Sequence, residues 1–186
     1  GEYTKEEIRK MAEEIGLKTA SKPDSQEICF IPDHDYAKYI RENTDTELPP
    51  GNFVDLDGNI LGKHLGITHY TVGQRKGLNL SMGKPVFVVE IRPETNEVVI
   101  GDSKDVFSDH LTCDHVNWMS VDGLHGETMK VTAKIRYSHK GAPCEIREIG
   151  PDLVEVQFKE PQRAITPGQA VVFYDGDYVV GGGVIR

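Results

Sequence analysis

Cysteine is scarce: 186 residues hold three, Cys29, Cys113 and Cys144, with no Cys-x-x-Cys pair and no Cys/His cluster. An odd number of widely spaced thiols excludes a zinc ribbon and a disulfide framework within the chain. Long apolar runs are missing too, none approaching the roughly 18 residues of a membrane span. The start, Gly1-Glu2-Tyr3-Thr4-Lys5, lacks the charged-then-apolar pattern of a secretory signal, so a cytoplasmic protein with no membrane contact is expected. Positive charge is in deficit, with 21 Lys and Arg against 30 Asp and Glu and a formal net charge of -9. A uniformly basic nucleic-acid glove is thereby excluded, and any RNA binding needs local segregation of charge. Neither His-Glu-x-x-His nor Gly-Lys-Ser/Thr occurs, and no Ser, His and Asp can be paired by spacing, which sets metal and serine-hydrolase chemistry aside.

What is present is the composition of a folded domain, 38% hydrophobic and 27% charged, with Gly 19 and Pro 10 announcing many turns. Thr4 with Glu7 is a capping-box pattern, and Ile8, Met11, Ala12 and Ile15 recur at helical spacing until Gly16. Nothing before this helix in the chain covers its apolar face, which suggests that the chain begins inside a larger domain. A short apolar run, Ile28-Cys29-Phe30-Ile31, ends at Pro32, and a second helix is expected from Asp33 through Tyr36, Tyr39 and Ile40. Leu48-Pro49-Pro50-Gly51 breaks it. Strand patterns follow: Phe53 to Leu56 and Asn59 to Leu61 about an Asp57-Gly58 turn, then Val86 to Ile91 and Glu97 to Ile100 about Pro93-Glu94-Thr95-Asn96. Beyond Val106 the text is all β. Six strands are expected, Val116–Met119, Thr128–Tyr137, Cys144–Ile149, Leu153–Phe158, Ala170–Tyr174 and Tyr178–Ile185, enough for a small closed barrel. In Thr128–Tyr137 the alternation puts Lys130, Lys134 and Arg136 on the wet face and points Tyr137 inward.

Two stretches carry no carboxylate: Gly58 to Val89, with Lys63, Arg75, Lys76 and Lys84, and Thr128 to Cys144, with Lys130, Lys134, Arg136 and Lys140. They read either as positive patches on an acidic body or as scattered solvated lysines. Gly73-Gln74-Arg75-Lys76-Gly77 is a compact turn whose cations and backbone N–H groups suit phosphate, or else a plain exposed turn. Gly181-Gly182-Gly183 has no helix after it and reads as strand backbone in close approach, or a bulge. Cys29 is either a small buried apolar residue or a loop-edge thiol able to act as a nucleophile, whereas Cys113 and Cys144 sit in strand-like text as core residues.

Asp24-Ser25-Gln26-Glu27-Ile28-Cys29-Phe30-Ile31, Tyr70-Thr71-Val72-Gly73-Gln74-Arg75-Lys76-Gly77-Leu78 and Arg163-Ala164-Ile165-Thr166-Pro167-Gly168-Gln169 stand in this order, followed by Phe173-Tyr174-Asp175-Gly176-Asp177 and Gly181-Gly182-Gly183. This set resembles the tRNA-specific 2-thiouridylases (MnmA/TrmU) over nearly the whole chain. The resemblance implies a mainly β chain with a short α-helical lead. Residues 1–33 would be the tail of an ATP-pyrophosphatase domain with the catalytic cysteine loop, 34–106 a small central α+β domain and 107–186 a six-stranded translation-factor-like β-barrel that binds tRNA. The family's Ser-Gly-Gly-x-Asp-Ser loop and its other catalytic cysteine have no counterpart here, so ATP with Mg is expected to bind outside this chain, no cofactor within it, and isolated activity is not expected. In the family ATP adenylates the C2 oxygen of the wobble uridine and a cysteine persulfide supplies sulfur. Cys29 matches the persulfide carrier, its disulfide partner lying in the absent domain. Arg136, Tyr137 and Gln169 match positions that touch the tRNA anticodon arm, and Arg75 and Lys76 are added as phosphate contacts. A sulfur-relay protein or cysteine desulfurase is the implied donor. The alternatives are a non-catalytic RNA-binding β-barrel module serving a separate enzyme, and a stand-alone redox thiol protein.

Overall fold

A computed structural model describes residues 2–22, 28, 30–31, 35–44 and 49–186. The chain forms two compact units, Gly1–Thr46 and Glu47–Arg186. In the first, helix α1 (Lys5–Glu14) starts on the expected capping box. The Glu7 N–H meets Thr4 Oγ1 at 3.4 Å, the Thr4 N–H donates to Glu7 Oε2 at 2.7 Å, and Gly16, at φ 73°, follows its end. Its apolar side chains Ile8, Met11 and Ile15 are exposed. Helix α2 (Tyr36–Asn43) is shorter than the expected segment and is capped by Asp35, whose Oδ1 accepts the Lys38 N–H at 2.9 Å. Phe30 and Tyr39 pack ring to ring at 5.4 Å, and Ile31 is buried.

The second unit opens with a four-stranded sheet: β1 (Gly51–Val54), β2 (Ile60–His64), β3 (Phe87–Arg92) and β4 (Glu97–Gly101), in the order β2-β1-β4-β3. Both expected hairpins form, and β1 additionally runs parallel to β4. Asp55 builds the first turn by accepting the N–H groups of Asp57 and Asn59 at 3.0 and 2.8 Å, with Gly58 at φ 86°. Phe53, Tyr70, Leu78, Val86, Val88, Val98 and Ile100 fill its core. His64 is buried beside Phe53 and Tyr70. Its Nδ1 accepts the Gly66 N–H at 3.0 Å, so Nε2 carries the proton and donates to the Asn96 carbonyl at 3.1 Å, a neutral imidazole with both nitrogens used.

Six strands then close into an antiparallel barrel: β5 (Phe107–Trp118), β6 (Thr128–Lys134), β7 (Ala142–Gly150), β8 (Leu153–Arg163), β9 (Ala170–Asp175) and β10 (Tyr178–Ile185), ordered β10-β5-β8-β7-β6-β9. The mainly β architecture with a six-stranded barrel is thus as expected. Inward positions alternate along the strands, Val131 and Ala133, Cys144 and Ile146, Val154, Val156 and Phe158, Val171 and Phe173 all being buried. Several strand limits differ from expectation, β7 running from Ala142 to Gly150 and β8 on to Arg163 rather than Phe158, and two of the differences bear on the site. β5 starts at Phe107 rather than Val116, a start hidden in the sequence because polar His110, Thr112 and Asp114 alternate with buried Leu111 and Cys113. β6 stops at Lys134, so the alternation that turned Tyr137 inward no longer operates, and Tyr137 is fully exposed. The three glycines of β10 are close-approach positions. A Cβ on Gly181, Gly182 or Gly183 would lie 2.5 to 2.7 Å from a neighbouring strand's carbonyl oxygen.

Candidate nucleic-acid interface

The pocket of interest lies where one seam of the barrel comes apart. β6 and β9 pair at Thr132↔Tyr174, Ala133↔Phe173 and Lys134↔Val172, and the same register continued would bring Arg136 opposite Ala170. No pairing occurs there. Arg136, Tyr137 and Ser138 leave on one side and Gln169 and Ala170 on the other, bounding an open pocket of about 660 Å³ that Lys134, Val172 and Tyr174 complete. Three residues expected to touch RNA from widely separated stretches of sequence, Arg136, Tyr137 and Gln169, therefore share one pocket.

Each is placed by local chemistry. Gln169 ends the turn Thr166-Pro167-Gly168-Gln169, in which Pro167 supplies the second position and Gly168, at φ 84°, the third, closed by the Gln169 N–H donating to the Thr166 carbonyl at 3.2 Å. Arg136 is held by its Nη1, which donates to the carbonyls of Arg163 at 3.0 Å and Ala164 at 3.5 Å. Tyr137 follows in a turn closed by the His139 N–H on the Arg136 carbonyl at 3.1 Å. Lys134 Nζ lies over the Tyr174 ring, 5.4 Å from its centroid. The residues lining the pocket include two cations and no carboxylate, so the site is positive on a chain that is negative as a whole.

Arg75 and Lys76 do not line this pocket; both are exposed on the Gly73–Gly77 turn. Gly73 takes φ 85° and Gly77 φ 77°, the Gln74 N–H donates to the Thr71 carbonyl at 3.0 Å, and Gln74 Nε2 donates to the Lys76 carbonyl at 3.0 Å. The turn is nevertheless tied to the pocket through one corner of the barrel. Arg163 Nη2 donates to the Gly73 carbonyl at 3.4 Å while its guanidinium lies over the Phe87 ring, 5.4 Å from the centroid, and the Arg163 carbonyl accepts from Arg136. The Ala164 N–H donates to the Val106 carbonyl at 2.7 Å, fixing that corner to the segment that joins sheet to barrel.

Cys29 lies outside the described residues; its neighbours Ile28 and Phe30 are exposed and Ile31 is buried. Cys113 and Cys144 are free, buried in the barrel core, and each thiol is pushed up to about 12 by burial, Cys113 also by the carboxylates of Asp114 and Asp152. Neither is a thiolate at neutral pH. Among the described residues no group of three or more His, Cys, Asp and Glu side chains is arranged to hold a metal ion, and no helix is long and apolar enough to cross a membrane. Tyr174 and Arg163 received no role from the sequence. The signal for Tyr174 was available in the strand period, since an inward Phe173 obliges Tyr174 to face out; Arg163 acts across sheet and barrel, which no local pattern displays.

Comparison with known proteins gives three family matches in chain order. Residues 1–33 match the model of a tRNA methyl transferase HUP domain, 37–102 that of a tRNA methyl transferase PRC-barrel domain, and 108–185 that of an aminomethyltransferase beta-barrel domain. The tRNA-specific 2-thiouridylase MnmA of Lachnoclostridium phytofermentans is 60% identical over 185 residues, and those of Acetivibrio thermocellus and Clostridioides difficile are 59% and 51% identical over 186. Each alignment takes in 100% of this chain and 52%, 52% and 51% of the relative, so the chain spans about half the length of the curated relatives it matches.

Proposed function

Because this chain belongs to the tRNA-specific 2-thiouridylase (MnmA/TrmU) family, we propose that it is the tRNA-gripping and sulfur-carrying part of an enzyme that replaces the C2 oxygen of the wobble uridine with sulfur. The observation that carries the reading is the meeting of Arg136, Tyr137 and Gln169 in one carboxylate-free pocket. A guanidinium, an exposed aromatic ring and an amide are together suited to the phosphates and splayed bases of a tRNA anticodon arm. Arg75 and Lys76, on a turn anchored to the same barrel corner, add phosphate contacts beside it. The three domains proposed are 1–33, 34–106 and 107–186.

In this reading Cys29 carries the persulfide. Its terminal sulfur is more acidic and more nucleophilic than a simple thiol, and it attacks C2 once the oxygen has been made a leaving group. A second cysteine, outside this chain, then cleaves the S–S bond by forming a disulfide with Cys29 and leaves sulfur on the uridine. ATP supplies the activation of the oxygen. The Gly181-Gly182-Gly183 run is strand backbone, and nucleotide binding is assigned in this reading to the part of the relatives' length that the chain does not span. A sulfur-relay protein or a cysteine desulfurase loads Cys29, and the exposed apolar face of α1, with Ile8, Met11 and Ile15, is the surface against which further chain would pack.

The test is thiolation by the full-length protein carrying Cys29→Ser, followed as 2-thiouridine by nucleoside mass spectrometry. Loss of product with tRNA affinity within about twofold of wild type is the expected result. Appreciable 2-thiouridine from the variant removes Cys29 from the chemistry and favours a barrel that serves only to bind.

A further inference from the structure

The floor of the pocket consists of side chains that face out of the barrel. Val171 and Phe173 are buried in its core, so the two-residue period of β9 turns Ala170, Val172 and Tyr174 the opposite way, and all three line the pocket. On the outer face of a closed barrel such a strip fills no core. Lys134, opposite Val172 in the ladder, stands beside it with its ammonium over the Tyr174 ring. The site thus offers a flat aromatic surface, an apolar bed and an adjacent cation, the three requirements of a base joined to a phosphate.

We propose that this pocket takes one unpaired nucleotide of an RNA loop, its base stacked on the Tyr174 ring and its phosphate on Lys134. The inference rests on the reading of the chain as RNA-binding and adds which element of the RNA the barrel reads. A base inside a duplex has both faces covered by its neighbours and cannot lie on a side-chain ring, whereas a splayed loop base can. The pocket volume, about 660 Å³, falls in the range of clefts that enclose small ligands, roughly 300–1,000 Å³. An acidic peptide would be drawn by the same cations, but its carboxylates do not stack on the Tyr174 face as a nucleobase does. Tyr174 is a specificity-determining residue in this account, and Lys134 holds the ring's orientation until a phosphate engages it.

The experiment uses this chain and an anticodon-arm hairpin whose loop nucleotides are replaced one at a time by abasic residues. In the wild type one loop position is expected to lose about tenfold in affinity when its base is removed, within the range for a single aromatic stack. That step should vanish in Tyr174→Leu, which keeps an apolar side chain without the ring and leaves the barrel intact by circular dichroism, and should persist in Tyr174→Phe, which keeps the ring. Lys134→Met should weaken binding of every hairpin and lower its salt dependence while leaving the step in place. Equal abasic profiles for wild type and Tyr174→Leu, or a loopless duplex bound as tightly as the hairpin, overturn the stacking assignment alone. Failure of every hairpin to bind overturns it together with the RNA-binding reading.

Discussion

Replacing Gly73 by alanine probes the corner on which the interface is mounted. Two costs arise, and they are separable. At φ 85° an L side chain is in the left-handed region, worth about 1–2 kcal/mol. The new Cβ would also stand 2.7 Å from Ala164 Cβ and 3.4 Å from Arg163 Nη1, against a favourable carbon separation of about 3.5–4.0 Å, and overpacking of this kind costs about 1–3 kcal/mol. Gly73→Ala should therefore lose about 2–5 kcal/mol. Ala164→Gly removes the opposing methyl and, at φ 56°, releases the backbone of position 164 from the same left-handed penalty. Once that methyl is gone only the first cost remains, so the double variant should recover about 1–3 kcal/mol relative to the sum of the singles. Urea unfolding of the four proteins, followed by the fluorescence of Trp118, the chain's single tryptophan, reads the barrel unit directly. Additivity to within about 0.5 kcal/mol would refute the contact and with it the claim that the turn bearing Arg75 and Lys76 is seated on this corner.

Arg136→Ala should weaken tRNA binding and reduce the slope of log K against log salt by about 0.7–0.9, the value for one phosphate; an unchanged slope would strike Arg136 from the contacts. His64 supplies a pH prediction, since burial holds its pKa below the ordinary value. Above the unfolded value of about 6.5 both states are neutral and the contribution of the buried imidazole is complete. As pH falls below it the unfolded chain takes up a proton that the folded one refuses, and stability declines until the lower folded pKa is passed. His64→Gln, which does not titrate, should flatten that part of the profile in pH-dependent urea midpoints, and an unaltered profile would show that other groups set it.

Much of the fold was legible because its signals are local. The Thr4 and Glu7 cap, the Asp57-Gly58 turn and the alternation through Thr128 to Lys134 each involve residues a few positions apart, and each forms as read. β5 was read too short because the period requires only that inward positions be apolar, and Leu111 and Cys113 are separated by outward residues that resemble a loop when taken alone. Tyr137 was misdirected by the opposite error, a period carried three residues beyond the last ladder pair at Lys134.

The candidate site shows the same division more sharply. Arg136, Tyr137 and Gln169 were named from the resemblance, but their meeting with Lys134 and Tyr174 depends on how far the β6 and β9 seam stays closed, which is a long-range matter. Only three residue pairs hold that seam, and the buried Phe173 opposite the buried Ala133 is the one whose side chains both enter the core. Beyond it the chain has reason to part: Arg136 Nη1 is drawn to the carbonyls of Arg163 and Ala164 on the next corner, and Gln169 is committed to the turn that Pro167 and Gly168 impose. The opening is thus the consequence of two local preferences that pull in different directions, and the barrel pays for it with a short seam while gaining a positive, aromatic-floored recess on an acidic surface.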